Sequence, residues 1–150
     1  MDNQQTISKP VSLSGRGLFH GHEATLTFRP APPHHGVVFR RTDLGGAEVP
    51  ALVTHVVKRA RRTALRLGEA SVDVCEHVLS AVAGARIDNL VIELDGPEVP
   101  AMDGSAQPFL EALESAGIEA SGEARVRLVV KEPVCVRQGD AMLAVMPCDE

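Results

Sequence analysis

The chain has 150 residues, of which 44% are hydrophobic and 23% charged, so it is long enough for one folded core or for one small domain plus part of another. A net charge of −5 argues against nonspecific nucleic-acid binding, which depends on an excess of Lys and Arg. No apolar run approaches the length of a membrane span, the N-terminal residues lack a signal-peptide pattern, and three cysteines suggest neither a disulfide framework nor a Cys-based zinc site. We therefore expect a protein of the reducing cytoplasm that does not span a membrane.

Short β-strands separated by Gly and Pro turns are predicted for the first half of the chain. The predicted strands are residues 6–13, 23–28, 37–41, 49–57 and 63–67. Alternation of apolar and polar residues over 24–28 favours a sheet with one solvent-exposed face. The basic run 58–62 is interpreted mainly as a solvated turn and strand edge, with a phosphate or acidic-substrate contact as the less favoured alternative.

A short helix is predicted within residues 71–84. One apolar face is formed at spacing i, i+3, i+4 and i+7 by Cys75, Val78, Leu79 and Val82. Asp73 is expected to cap the N-terminus, Glu76 to complete a capping box, and Gly84 to end the helix in a left-handed conformation.

Glu76 and His77 are neighbours in the first turn of this helix and lie off its apolar face. In one interpretation Glu76 only caps the helix and His77 is a solvated or hydrogen-bonded imidazole. In the other, His77 is a metal ligand and Glu76 is the base that deprotonates a metal-bound water. The dipeptide alone leaves both open, because a catalytic zinc needs three protein ligands.

The second half is predicted to contain an apolar central strand over 89–94, a loop over 97–102 and a second helix over 105–116. Ser105 can cap this helix and Gly117 can stop it. Two helices on one face of a β-sheet define an α+β fold. Strand patterns then resume at 125–136 and 141–146, and these strands either pair back onto the first domain or open a second one. We divide the chain into domains 1–122 and 123–150.

Three other segments contain residue types that could do chemistry. In the Gly-rich segment 14–22, His20 and His22 would point to the same side if the segment were extended, but the spacing of a phosphate loop is not met. Asp103, in the acidic turn before the second helix, is expected to accept hydrogen bonds from the backbone. Residues 40–43 are interpreted as an ion-pair network at a strand end rather than a substrate clamp.

Several of these segments together resemble a known family. The segments that carry the resemblance occur in this order: Gly15-Arg16-Gly17-Leu18 with His20-Gly21, Leu26 to Ala31, Val38 to Asp43, Glu76 to Ala81, Gly84 with Ile87-Asp88-Asn89, and Met102 to Ala106. They are similar to the N-terminal domain of the UDP-3-O-acyl-N-acetylglucosamine deacetylases, zinc hydrolases of lipid A biosynthesis.

The resemblance implies two domains of similar β-α-α-β topology, with helix layer packed on helix layer and a Zn²⁺ site between them. It implies that Glu76 is the general base and His77 a zinc ligand, with His20 and Asp103 near the site. The remaining zinc ligands and the general acid would come from the second domain, and no His follows His77 in this chain. Residues 1–150 alone are therefore expected to be inactive.

This sequence departs from the family pattern in two places. Phe19 changes the local spacing before His20, so that match is approximate. Val74-Cys75 replaces the usual Thr-Val or Thr-Ile before the Glu-His pair, which makes the helix entry less polar.

The sequence is therefore compatible with two functions. In the first, the chain is the N-terminal portion of a deacetylase that hydrolyses the acetamide of UDP-3-O-acyl-N-acetylglucosamine to the free amine and acetate. In the alternative, it is a stand-alone noncatalytic paralogue that binds a nucleotide-sugar or a full-length partner. In either case an exposed apolar helix layer is expected to favour self-association.

Overall fold

The computed structural model of the chain describes residues 3–148. Its elements in chain order are β1 (Asn3–Ile7), β2 (Val11–Arg16), β3 (Glu23–Pro30), β4 (Val37–Arg41), β5 (Ala47–Pro50), β6 (Val56–Val57), β7 (Ala64–Leu67), β8 (Ala70–Asp73), α1 (Glu76–Gly84), β9 (Leu90–Leu94), α2 (Gln107–Ser115), β10 (Ile118–Ala124), β11 (Val134–Gln138) and β12 (Ala141–Val145). Several sheets and two helices confirm the predicted α+β class.

A five-stranded mixed sheet in the order β2-β3-β9-β4-β5 forms the largest layer. Strand β9 is central, as predicted, and pairs antiparallel with β3 and parallel with β4. Along β3, Leu26 and Phe28 are fully buried while Thr25 and Thr27 hydrogen-bond hydroxyls of β2 on the outer face, so the predicted alternation is confirmed.

The two helices pack against each other and share one apolar core with this sheet. Val78 of α1 and Phe109 and Leu113 of α2 are almost completely excluded from solvent, because the apolar residues of each helix recur on one face. Leu79 and Leu110, at the edges of these faces, are half-buried. No large apolar residue of either helix is exposed within residues 3–148, so the predicted exposed apolar layer is wrong for these side chains.

Two smaller sheets complete this part of the fold. Strands β6, β7 and β8 form an antiparallel sheet that leads directly into α1. Strand β1 pairs antiparallel with β10 as far as Asn3 opposite Ala124. This pairing thus extends two residues past the predicted domain boundary at residue 122. The boundary itself stays a prediction.

Two predicted strands prove to be interrupted. The segment 6–13 splits between two sheets around Pro10, and 49–57 is broken after Pro50 by a 3-10 turn at Val53–His55. Proline cannot donate to a strand ladder, which is the physical reason for a break at these positions. Strands β8 and β10 were not predicted, because β8 was included in the helix and β10 contains a Gly in its interior.

The predicted helix ends are only partly correct. Helix α2 ends at Ser115, and Gly117 follows its C-cap with the left-handed φ, 75°, expected of a stop. By contrast, Gly84 belongs to α1, and it is Arg86 that has the left-handed φ, 57°. At the start of α1, Asp73 is the last residue of β8 and Cys75 occupies the N-cap position without a side-chain cap. The predicted cap is therefore wrong, because Asp73 is engaged in an ion pair with Arg62.

Strands β11 and β12 pair with each other, and every residue in them is exposed. Neither pairs with another strand of the described chain, so they do not return to the first sheet as one prediction had it. Several large apolar side chains between 126 and 146 are exposed, including Leu128 at 95%. Within residues 3–148 no helix is long and apolar enough to cross a membrane.

Candidate active site

Glu76 and His77 lie at the junction where β8 passes into α1. Strand β8 ends at Asp73 and the helix begins at Glu76, so only Val74 and Cys75 connect them. Val74 turns the chain with a left-handed φ of 62° although it is β-branched and only 4% exposed. Such a conformation is rare for this residue type, and it points to a local requirement that outweighs its strain.

The Glu76 carboxylate does not close a capping box. Its Oε2 atom accepts a hydrogen bond from the backbone N–H of Thr63 at 3.1 Å, across from the start of β7. Within residues 3–148 no hydrogen bond is formed to the other oxygen, Oε1. Glu76 is half-buried, and one of its carboxylate oxygens accepts a hydrogen bond while the other accepts none from the described residues.

His77 is also half-buried, and its ring nitrogens make no hydrogen bond within the described residues. The nearest charged partner identified for it is Asp103, whose carboxylate is close enough to interact electrostatically with the imidazole. The turn before α2 therefore brings an acidic side chain near His77 at the start of α1.

Asp103 is fixed by its own turn. Its Oδ1 accepts hydrogen bonds from the N–H and the hydroxyl of Ser105, each at 2.9 Å, as the predicted backbone contact required. Ser105 Oγ in turn accepts the N–H of Gln107, the first residue of α2, at 3.1 Å. The N-cap position itself is occupied by Ala106, which provides no side-chain cap, so Ser105 lies one residue before the position predicted for it. The Ser105 N–H and hydroxyl hold the pKa of the Asp103 carboxyl below its ordinary value, with a smaller contribution from His77.

His20 does not point to the same side as His22 along an extended strand, because the segment between β2 and β3 is a tight turn closed by Gly17 N–H to His22 C=O. Instead, the Nδ1 of His20 lies 2.9 Å from Oε2 of Glu98. No contact joins His20 directly to Glu76 or His77 in the described chain. The structure therefore assigns His20 to a separate cluster.

Glu98 is the centre of that cluster, with 3% of its surface exposed. Its two carboxylate oxygens accept the N–H groups of Phe19 at 2.7 Å and His20 at 2.8 Å. Burial alone would raise the pKa of this carboxyl, but the hydrogen bonds from Phe19 and His20 hold it below its ordinary value. Gly17 leaves the necessary space, since a Cβ there would lie 2.5 Å from Glu98 Oε2.

Arg62 connects this cluster to the start of α1. Its Nε donates to Asp73 Oδ2 at 3.0 Å, and its guanidinium lies 4.2 Å from the centre of the Phe19 ring. Asp73 in turn exchanges backbone hydrogen bonds with residues 97 and 99 on either side of Glu98. The basic run 58–62 is thus solvated as predicted except at Arg62, which is mostly buried.

The remaining candidates behave as structural groups. Arg41 makes a two-pronged contact with Asp43 and donates to the Ser71 carbonyl, which confirms an ion-pair network at this strand end. Burial raises the pKa of the Cys75 thiol to about 12, with the negative charge of Glu76 adding to the effect. Although Cys75 lies next to a metal-ligand candidate, it is therefore a neutral thiol at physiological pH.

Within residues 3–148 no group of three or more His, Cys, Asp or Glu side chains is arranged to hold a metal ion. The described residues could still provide part of a metal site. His77 has an imidazole without a hydrogen bond to the described residues, and the carboxylates of Glu76 and Asp103 are nearby. Imidazole and carboxylate are zinc ligands, but one imidazole does not make a catalytic centre.

Three contributors to this region were not singled out individually from the sequence: Thr63 had no predicted role, Arg62 was only one member of the basic run 58–62, and Glu98 was only the first residue of the acidic turn before α2. Thr63 acts through its peptide group, which no sequence pattern marks. Glu98 is a carboxylate between Pro97 and Val99 in an otherwise buried stretch, and a buried acid in an apolar setting is a signal that could have found it.

Comparison with known proteins gives one consistent result. A family model described as UDP-3-O-acyl N-acetylglycosamine deacetylase matches residues 4–150. The UDP-3-O-acyl-N-acetylglucosamine deacetylase of Myxococcus xanthus is 47% identical over 97% of this chain and 46% of its own length. The deacetylase of Citrifermentans bemidjiense is 46% identical over 96% of this chain and 48% of its own length. The bifunctional enzyme LpxC/FabZ of Chlorobaculum tepidum is 48% identical over 88% of this chain and 28% of its own length.

The family model and the curated relatives that match this chain carry the names of deacetylases or of a bifunctional enzyme. It belongs to the UDP-3-O-acyl-N-acetylglucosamine deacetylase family. The chain spans about half the length of the curated deacetylases that it matches.

Proposed function

We propose that this chain is the N-terminal portion of a zinc-dependent deacetylase that hydrolyses the acetamide of a UDP-3-O-acyl-N-acetylglucosamine to the free amine and acetate. The observation that carries the proposal is the placement of Glu76 and His77 side by side at the start of α1, beside Asp103, in a chain of this family. The substrate comes from the names of the relatives.

Glu76 is the proposed general base. Its Oε1 forms no hydrogen bond with the described residues, so it can accept a proton from the attacking water while Thr63 N–H holds Oε2.

His77 is the proposed zinc ligand of this chain, with either ring nitrogen free of competing hydrogen bonds from residues 3–148. When bound, zinc would polarise the acetamide carbonyl and promote ionisation of water. His77 would supply one ligand, and Asp103 would orient or charge-balance its imidazole. The other ligands are proposed to come from a second domain, of which residues 123–150 would be the opening.

The three cysteines are unpaired in the structure, which supports a cytoplasmic location, where thiols stay reduced.

The test compares residues 1–150 with a polypeptide that adds the downstream half found in the relatives. In the longer polypeptide, Glu76→Gln should retain zinc and lose on the order of 10² or more in deacetylation rate, because the amide keeps the shape but not the basicity. His77→Ala should lower both zinc content and rate while the melting temperature changes little, since His77 is outside the buried core.

Glu111→Gln on the exposed face of α2 and His22→Ala in the β2–β3 turn are the matched controls, and both should retain zinc and rate. An unchanged rate in Glu76→Gln would reduce Glu76 to a structural group. Tight binding of one zinc by residues 1–150 through His77 would contradict the need for a second domain. Absence of deacetylation in the longer polypeptide, with specific binding of a nucleotide-sugar, would favour the noncatalytic alternative.

A further inference from the structure

The backbone of Thr63 lies at the centre of a closed ring of hydrogen bonds around the start of α1. Its N–H donates to Glu76 Oε2 at 3.1 Å. Its C=O accepts the N–H of Val74 at 3.0 Å and of Cys75 at 3.4 Å, with the Cys75 thiol at 3.5 Å. The backbone of one residue, just before β7, thus contacts three consecutive residues at the strand-to-helix junction.

The left-handed conformation of Val74 is what allows this ring to close. A β-branched residue with a φ of 62° is strained, and such strain persists only where surrounding contacts over-determine the conformation. Here two successive N–H groups, from Val74 and Cys75, are directed at one carbonyl oxygen. The strain is therefore balanced by contacts to the same residue that holds Glu76.

A flexible glutamate at the beginning of a helix would otherwise populate several rotamers. Holding one oxygen from a β-strand removes that freedom and leaves the second oxygen as the proton acceptor. General-base catalysis depends steeply on such placement.

We propose that the Thr63 N–H is the positioning group that orients the Glu76 carboxylate for catalysis, and that the left-handed turn at Val74 holds this backbone in place through the Thr63 carbonyl. This inference rests on the proposed function, in which Glu76 is the base. It assigns a role in the reaction to two residues whose side chains need not touch substrate or metal.

The experiment deletes single backbone N–H groups in the longer, zinc-loaded polypeptide by replacing one residue with its α-hydroxy acid, which turns an amide into an ester. The ester at Thr63 removes the bond to Glu76 and leaves every side chain in place. The ester at Val74 removes one of the bonds that hold the Thr63 carbonyl. The matched control is an ester at Ala116, whose N–H makes a 3.0 Å bond to Ala112 C=O at the end of α2.

The Val74 and Ala116 esters should lower the melting temperature by similar amounts, since each loses one backbone–backbone hydrogen bond, and the Thr63 ester by somewhat more, since its lost bond is to a carboxylate. We expect kcat to fall on the order of tenfold for the Thr63 ester and less for the Val74 ester, with zinc content and KM retained, because a hydrogen bond to a charged group is lost. The Ala116 ester should keep the parent kcat.

A double-mutant cycle that combines the Thr63 ester with Glu76→Gln separates positioning of Glu76 from a general structural effect. If the Thr63 peptide acts through Glu76, the ester should cause no further loss of kcat in the Glu76→Gln background. Equal losses in both backgrounds, or a Thr63 ester with the same kcat as the Ala116 ester, would overturn this inference and leave the proposed base in place. A Glu76→Gln variant with parent rate would remove the proposed base, and this inference with it.

Discussion

The starts of the two helices show how the same kind of sequence can lead to different structures. Before α2, Asp103 and Ser105 form a local turn in which each hydrogen bond spans two residues and the Ser105 hydroxyl accepts the N–H of Gln107. Before α1, Asp73 makes no cap, and Glu76 bonds to a peptide thirteen residues away in sequence. The exposed start is built from local contacts and the buried start from distant ones.

The difference follows from burial. At the surface, water competes with distant partners, so an Asp or Ser satisfies the nearest free N–H group. At the end of β8, the side chain of Asp73 is buried and requires a partner of opposite charge, which Arg62 provides. A carboxylate engaged in this way is not available as a cap, and the helix begins without one.

Asp73→Ala should have the largest effect on stability, because it leaves the mostly buried Arg62 guanidinium unpaired. We expect a loss of about 3 kcal/mol in the free energy of unfolding, measured by urea denaturation. The control Asp140→Ala, in the exposed β11–β12 turn, should stay within about 0.5 kcal/mol of the parent. If Asp73→Ala changed the free energy of unfolding as little as the control does, the ion pair between Asp73 and Arg62 would contribute no more to stability than an exposed side chain.

Glu98→Gln should have the next largest effect, about 2 kcal/mol at neutral pH, because its amide N–H₂ cannot replace a carboxylate oxygen facing Phe19 and His20 N–H groups. The pKa of Glu98 is lower in the folded chain than its ordinary value of 4.5. The stabilisation is therefore present above pH 4.5 and lost as the pH falls through the folded pKa.

Unfolding curves of the parent and the variant should accordingly converge in acid. Glu114→Gln, exposed on α2, is the control and should show no such convergence. A parent-to-variant difference in stability that is constant from pH 7 to acid would contradict a charged Glu98.

Ser105→Ala should have the smallest effect, about 1 kcal/mol, because the Ser105 hydroxyl links Asp103 to the N–H of Gln107 at the start of α2. Ser105→Asp should recover most of the loss, and Ser80→Ala on the exposed side of α1 should cost nothing, since Ser80 caps no helix. A Ser80→Ala loss as large as that of Ser105→Ala would remove the contrast between the two helix starts.

The sequence predicts the locally encoded features well. The α+β class, the central position of β9, the apolar faces of both helices and the Asp103 turn depend on neighbouring residues, and all are confirmed. The start of α1 could not be predicted, because the partner of Asp73 lies eleven residues away and that of Glu76 is a backbone group.

Within the candidate site, too, some residues can be predicted from the sequence and others only from the fold. The Glu-His pair is recognisable from the sequence, whereas the link from His20 to Glu98 spans 78 residues and requires the fold. The strand breaks near Pro10 and Pro50 were foreseeable from proline chemistry, but β10 was not, since its seven residues include a glycine and few apolar side chains.

The turn around Phe19 and His20 has a further consequence for ligand binding. Two successive N–H groups that converge on one point form a nest, a shape that proteins use to bind phosphate and other anions. Here that nest already contains an anion, the carboxylate of Glu98, supplied by the protein itself. The Gly-rich segment therefore has the backbone of an anion receptor that is permanently self-occupied, and shortening Glu98 to Ala would turn an internal anchor into a vacant receptor for formate or acetate.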